Sequence, residues 1–107
     1  QTLGWIDAWT SRPSLMAVAA ESAADVSAAI RFSQAHRIPF VVKGGGHSYF
    51  GNSNRADSLL LWTRRLRSIE VHDSFRPQGS PAETAIPAVS VGAGTLWGEV
   101  YRTVARD

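Results

Sequence analysis

The residues whose types and spacing can do chemistry are gathered in one segment, Lys43-Gly44-Gly45-Gly46-His47-Ser48-Tyr49-Phe50-Gly51-Asn52-Ser53. It follows a short apolar run, Phe40-Val41-Val42. Consecutive glycines cost conformational entropy, so a run of three marks positive φ angles or the close approach of another group. Successive amide N–H groups in such a turn converge into a concave nest that binds an anion, and a pyrophosphate is the natural guest. Two familiar phosphate motifs do not fit. Aligned from Gly44 and Gly46, the dinucleotide pattern G-x-G-x-x-G puts Tyr49 at its third glycine, and Gly51 to Asn54 would break the helix that must follow. Aligned from Gly46 to Gly51, the P-loop pattern puts Asn52 where its lysine belongs. Phosphate binding here therefore needs another geometry. Lys43, the only lysine, either neutralises phosphate or simply ends its strand.

Several elements must position this loop. Leu15 to Ala20 is a compact apolar run and reads as a buried strand. A helix follows, with Ser22 as its N-cap and Asp25 in the first turn, where a negative charge suits the dipole. Val26, Ile30, Phe32 and Ser33 keep a period near 3.6. Pro39 excludes its predecessor from helical geometry, so the helix ends near His36 or Arg37. Phe40 to Val42 is a second buried strand, and the strand-helix-strand order suits a right-handed parallel crossover. Residues 44–54 form a loop, Ser58 to Trp62 a third strand and Ile69 to His72 a fourth. Ser74 to Pro87, rich in proline, serine and glycine, reads as an irregular connection, and Ala88 to Val91 as a fifth strand. Thr95 is placed to cap a final helix that carries Leu96, Val100 and Val104 four apart.

Composition bounds the reading. The 107 residues suffice for one domain, and 44% hydrophobic with 19% charged residues describes a globular chain. No apolar run approaches a bilayer span. The N-terminal segment, residues 1–14, lacks the basic stretch and apolar core of a secretory signal. The compartment stays open. Without cysteine there is no disulfide, no thiolate nucleophile and no thiolate metal site. A net charge of +2 does not indicate a strongly electrostatic nucleic-acid binder. Gln1 at the start, and Asp107 within a helical pattern, predict a fragment of something longer.

Each remaining feature has a plain structural reading. His36 sits at a helix end, His72 alternates outward on its strand, and the three histidines lack ligand-like spacing, so no metal site is expected. Arg64, Arg65 and Arg67 read as a solvated turn. Trp5, Trp9, Trp62 and Trp97 read as core or buried-edge residues.

Lys43-Gly44-Gly45-Gly46-His47-Ser48-Tyr49, followed by Gly51 and Ser53, resembles the pyrophosphate loop of the FAD-binding domain in the vanillyl-alcohol oxidase and p-cresol methylhydroxylase family, most nearly its berberine-bridge-enzyme-like branch. Ala23-Ala24-Asp25-Val26, Ser58-Leu59-Leu60-Leu61, Val91-Gly92-Ala93-Gly94 and Trp97-Gly98-Glu99-Val100-Tyr101 are similar to that family's flanking patterns in the same order. The resemblance implies an α+β fold: the N-terminal strand-helix-strand unit of a p-cresol-methylhydroxylase-type domain, plus the start of its second sheet. Residues 15–107 would be part of the FAD-binding domain, and the substrate domain would lie elsewhere.

It also implies roles. Amides of Gly44, Gly45, Gly46, His47 and Ser48 would hold the FAD pyrophosphate, with the Ser48 hydroxyl adding a hydrogen bond. His47 matches the position joined covalently, in many members, to the 8α carbon of the flavin. Tyr49, Asn52 and Ser53 would line the flavin or ribityl region. The intact protein would oxidise a small-molecule substrate through FAD. The chain alone would bind FAD poorly and catalyse nothing. No catalytic base falls on these residues, and the cysteine link of some relatives has no counterpart here. Two other readings stay open: a truncated, non-catalytic domain without flavin, and a basic anion- or nucleic-acid-binding module.

Overall fold

The computed structural model describes residues 13–79, 81 and 84–106. The segment up to residue 12, with Trp5 and Trp9, lies outside them. The elements in chain order are β1 (Met16–Ala19), α1 (Ala23–His36), β2 (Phe40–Lys43), β3 (Leu59–Trp62), β4 (Ile69–Phe75), β5 (Ile86–Val91) and α2 (Trp97–Val104). They form a three-stranded parallel sheet ordered β1-β3-β2 and a two-stranded antiparallel sheet, β4 with β5. This is the expected α+β arrangement of a strand-helix-strand unit followed by a second sheet.

The sheet order adds a detail that the crossover reading left open. The crossover through α1 does not set β1 beside β2, because β3 returns between them and pairs with both. The central position explains the sequence of β3. A strand covered on both faces reads as a continuous apolar run, and Leu59, Leu60 and Leu61 are all buried. Leu59 and Leu61 meet Ala20 and Ala29, with Val18, Val26, Ile38 and Phe40 packed around them. Leu60 and Val41 are paired in register and turn to the opposite face.

Helix α1 is set by its ends. The Ser22 hydroxyl accepts from the Asp25 amide at 3.2 Å, and Asp25 Oδ2 accepts from the Ser22 amide at 3.0 Å, a reciprocal capping box. Arg37 closes the helix in the left-handed region, φ 53°. Its buried stripe is Ala29 and Ser33 with half-buried Val26, while Ile30 and Phe32 are about 40% exposed, against the expected stripe. The small Ala29 lets the helix approach the sheet, so the larger side chains fall to either side.

Other expectations shift with their surroundings. The first strand is an edge strand, shorter than Leu15 to Ala20 and largely exposed; only Ala20, just beyond it, is fully buried. β4 runs three residues past His72, and β5 starts at Ile86 and so contains Pro87, which the sequence placed in a connection. Between the pairs His72↔Ala88 and Phe75↔Ile86, Asp73 and Ser74 stand opposite Pro87. Proline cannot donate to the ladder, and the resulting bulge accommodates it. Helix α2 is capped at Leu96 rather than Thr95. Leucine offers no side-chain acceptor; the Leu96 amide reaches Glu99 Oε2 at 3.5 Å, while the Thr95 hydroxyl donates to the Ser68 carbonyl. Trp97 is not a core residue. It is 67% exposed and stacks on Tyr101, with ring centroids 5.8 Å apart. Val100 is the residue of α2 that is buried.

Candidate functional site

The three parallel strands end together. Ala19, Lys43 and Trp62 are register partners at the carboxyl edge of the sheet. In open sheets of this kind the carboxyl edge is where ligands bind. The glycine loop leaves from this edge, directly after Lys43.

The loop's residue types follow from its geometry. Gly46 has φ 77°, a conformation L side chains rarely adopt, and the Lys43 side chain lies over it; a Cβ there would come within 2.8 Å of Lys43 Cε. A Cβ at Gly44 would meet the Ala93 carbonyl at 3.1 Å, and one at Gly45 would meet the His47 ring at 2.9 Å. The His47 ring thus rests on bare backbone and is exposed at the rim. Past it, the Asn52 amide donates to Ser48 Oγ at 3.1 Å, and the Asn54 amide donates to the Gly51 carbonyl at 2.9 Å. Gly51 takes φ 74° to make that turn. Lys43 Nζ donates to Asn54 Oδ1 at 3.4 Å, tying the two ends of the loop together. Ser53 is 9% exposed, and its hydroxyl has no hydrogen-bond partner among the described residues. Buried polar groups are rarely left unpaired. Tyr49 and Phe50 are exposed, at 65% and 84%.

Most of the residues expected to form a site are therefore contiguous. Lys43, Gly44, Gly45, Gly46 and His47 form the rim, Ser48, Gly51 and Asn52 hold its turn, and Ser53 follows, buried. The sequence reading missed the opposite wall. The turn after β3 and the turn after β5 come to the same edge. The Trp62 indole Nε1 donates to the Gly44 carbonyl at 3.2 Å. The Thr63 amide donates to the Lys43 carbonyl at 2.9 Å, and its hydroxyl to the Ala93 carbonyl at 3.0 Å. Gly94 donates its amide to the Leu66 carbonyl at 2.9 Å. Together they border an open cavity of about 210 Å³, lined by Gly44, Gly45, Trp62, Arg64, Arg67, Gly94 and Leu96. Parallel strands ending in one register bring the following residues to one edge, and that was the signal for Trp62 and Arg64.

The arginines here are not equivalent members of a solvated turn. Arg65 pairs with Glu21 and Arg67 with Glu99. Arg64 lies over the Trp62 ring, 4.4 Å from its centroid. The other histidine of this half of the chain is also engaged. His72 is half-buried rather than pointing freely outward, with Nε2 2.9 Å from Ser90 Oγ.

A glycine cradle, an unpaired buried hydroxyl and an arginine-lined cavity fit a phosphate-bearing cofactor. Residues 14–107 match the family of FAD binding domains. The chain belongs to that family. Among related proteins, this FAD-binding domain is 44% identical over 93 residues to the FAD-linked oxidoreductase easE of Aspergillus fumigatus, covering 87% of this chain and 15% of the relative. It is 39% identical over 87 residues to the FAD-linked oxidoreductase penH of Penicillium thymicola, covering 81% and 15%. Its fold is similar to that of the VAO-type flavoprotein MtVAO615 of Myceliophthora thermophila C1, with a TM-score of 0.74, 32% identity and coverage of 84% of this chain and 16% of that one. A second VAO-type flavoprotein of the same organism, MtVAO713, matches with a TM-score of 0.74 at 23% identity, covering 97% and 20%, a likeness of fold. The chain spans about 15% of the length of these curated relatives.

Proposed function

We propose that the chain is the pyrophosphate-holding part of an FAD-linked oxidoreductase. The backbone amides of Gly44, Gly45, Gly46, His47 and Ser48 hold the pyrophosphate. Ser48 Oγ accepts from the Asn52 amide and keeps its own proton to donate. Lys43 holds its charge beside Gly46 through its bond to Asn54. A ring nitrogen of His47 is linked to the flavin 8α carbon, and Tyr49, Gly51, Asn52 and Ser53 line the flavin or ribityl region. When bound, FAD supplies the two-electron acceptor for oxidation of a small-molecule substrate. The residues of this chain place and orient it, and the substrate-facing groups belong to the remainder of the complete protein.

The observation that carries this reading is the glycine loop at the carboxyl edge of a parallel sheet, with exposed His47 on its rim, in a chain of the FAD binding domain family. The visible spectrum of the complete protein tests it. Flavin absorption in the purified protein is expected. A protein that stays colourless after purification and after incubation with FAD overturns the proposal.

A further inference from the structure

Lys43, the cation adjacent to the glycine loop in sequence, is engaged by Asn54 and packs its side chain over Gly46. The cavity on the other side of Gly44 and Gly45 has its own cations, from the turn after β3. Arg67 is already paired with Glu99, whereas Arg64 makes no ion pair among the described residues. The aromatic face of Trp62 restricts where the Arg64 guanidinium can go, 4.4 Å from the ring centroid.

The backbone around the cavity reinforces this charge. A carbonyl oxygen turned toward an anion repels it. Here the carbonyls of Lys43, Gly44 and Ala93 are each taken up by a donor from the end of β3 or the residue after it: the Thr63 amide, the Trp62 indole and the Thr63 hydroxyl. The negative ends of these peptide dipoles are thereby engaged, and the wall facing the glycines carries a guanidinium that no carboxylate among the described residues neutralises. A guanidinium in such a place makes strong, charge-assisted hydrogen bonds to phosphate oxygens.

We infer that Arg64, held in place by Trp62, is the cation that neutralises the cofactor's pyrophosphate across the cavity from the glycine loop. The inference rests on the proposed FAD site and adds to it a residue from outside the loop. Trp62 is then a positioning residue, acting through Arg64 and the Gly44 carbonyl.

The test uses the complete protein carrying His47→Ala, so that flavin binding is reversible, and follows FAD binding by flavin fluorescence at low and high salt. Arg64→Gln weakens FAD binding roughly tenfold or more at low salt and flattens its dependence on salt, because a screened charge pair has been removed. Arg64→Lys restores part of both effects. Arg65→Gln, whose side chain pairs with Glu21, leaves FAD affinity unchanged. Unchanged affinity in Arg64→Gln overturns the inference. So does weakened affinity with the parent's salt dependence, since that describes lost packing rather than lost charge. Absence of FAD from both this parent and the wild-type protein contradicts the proposed function instead.

Discussion

The Thr63 hydroxyl donates to the Ala93 carbonyl at 3.0 Å and joins the turn after β3 to the turn after β5. The two residues are thirty positions apart in sequence. The bond connects the parallel sheet to the chain that leaves the antiparallel one, next to the cavity. Thr63 is 4% exposed.

Thr63→Val keeps the shape of this side chain and removes its donor. The expected cost is about 1 kcal/mol of folding stability, the usual net worth of an intramolecular hydrogen bond. Urea denaturation of the two proteins measures it. An equally stable valine variant would show that packing alone holds the two turns together.

Two glycines close to each other in sequence respond to alanine in opposite directions. A Cβ at Gly94 would lie 1.9 Å from the Thr63 carbonyl oxygen, so the backbone must move; the expected loss is about 1–3 kcal/mol. Gly98 lies in the first turn of α2 with nothing within 4 Å of a new Cβ, and alanine there gains up to about 0.5 kcal/mol of helix stability, the low end of the interior value. Thermal unfolding of Gly94→Ala and Gly98→Ala should move the midpoint down and up respectively.

The cap of α1 has a pH signature. The backbone N–H of Glu21, then the Ser22 hydroxyl and amide, hold the Asp25 carboxyl below its ordinary value of 3.8. The folded state therefore binds fewer protons than the unfolded one near that pH. The stabilisation is fully present above the unfolded value and is lost as pH falls through the lower folded value. In denaturation followed across the acid range, wild type should be more stable than Asp25→Asn above the unfolded value, and the gap should close as pH falls. Ser22→Ala, which removes the other half of the capping box, should cost about 1 kcal/mol at neutral pH.

Much of this was legible because it is local. Ser22 with Asp25 marked the start of α1, Pro39 marked its end, and the leucines of β3 marked a strand. The glycines of the loop announced their own geometry, as the φ of Gly46 bears out. What was not legible depends on pairing between distant segments. Nothing near Leu59 in sequence says that β3 enters between β1 and β2. Pro87 argues locally against a strand, yet Asp73 and Ser74 bulge opposite it and the pairing continues. Trp97 is apolar and lies at helical spacing from Tyr101, but the narrow buried face of α2 is taken by Val100. The separate roles of Arg64, Arg65 and Arg67 followed from partners at Trp62, Glu21 and Glu99, the last two far from them in sequence.

The proposed link between His47 and flavin is open to direct measurement. The complete protein is precipitated with acid, washed and digested, and the peptide that contains residues 44–53 is weighed by mass spectrometry. A yellow pellet is predicted, with the mass of the flavin on the His47 peptide, and a colourless pellet from His47→Ala. A wild-type pellet without flavin, or flavin carried on a different peptide, would contradict it.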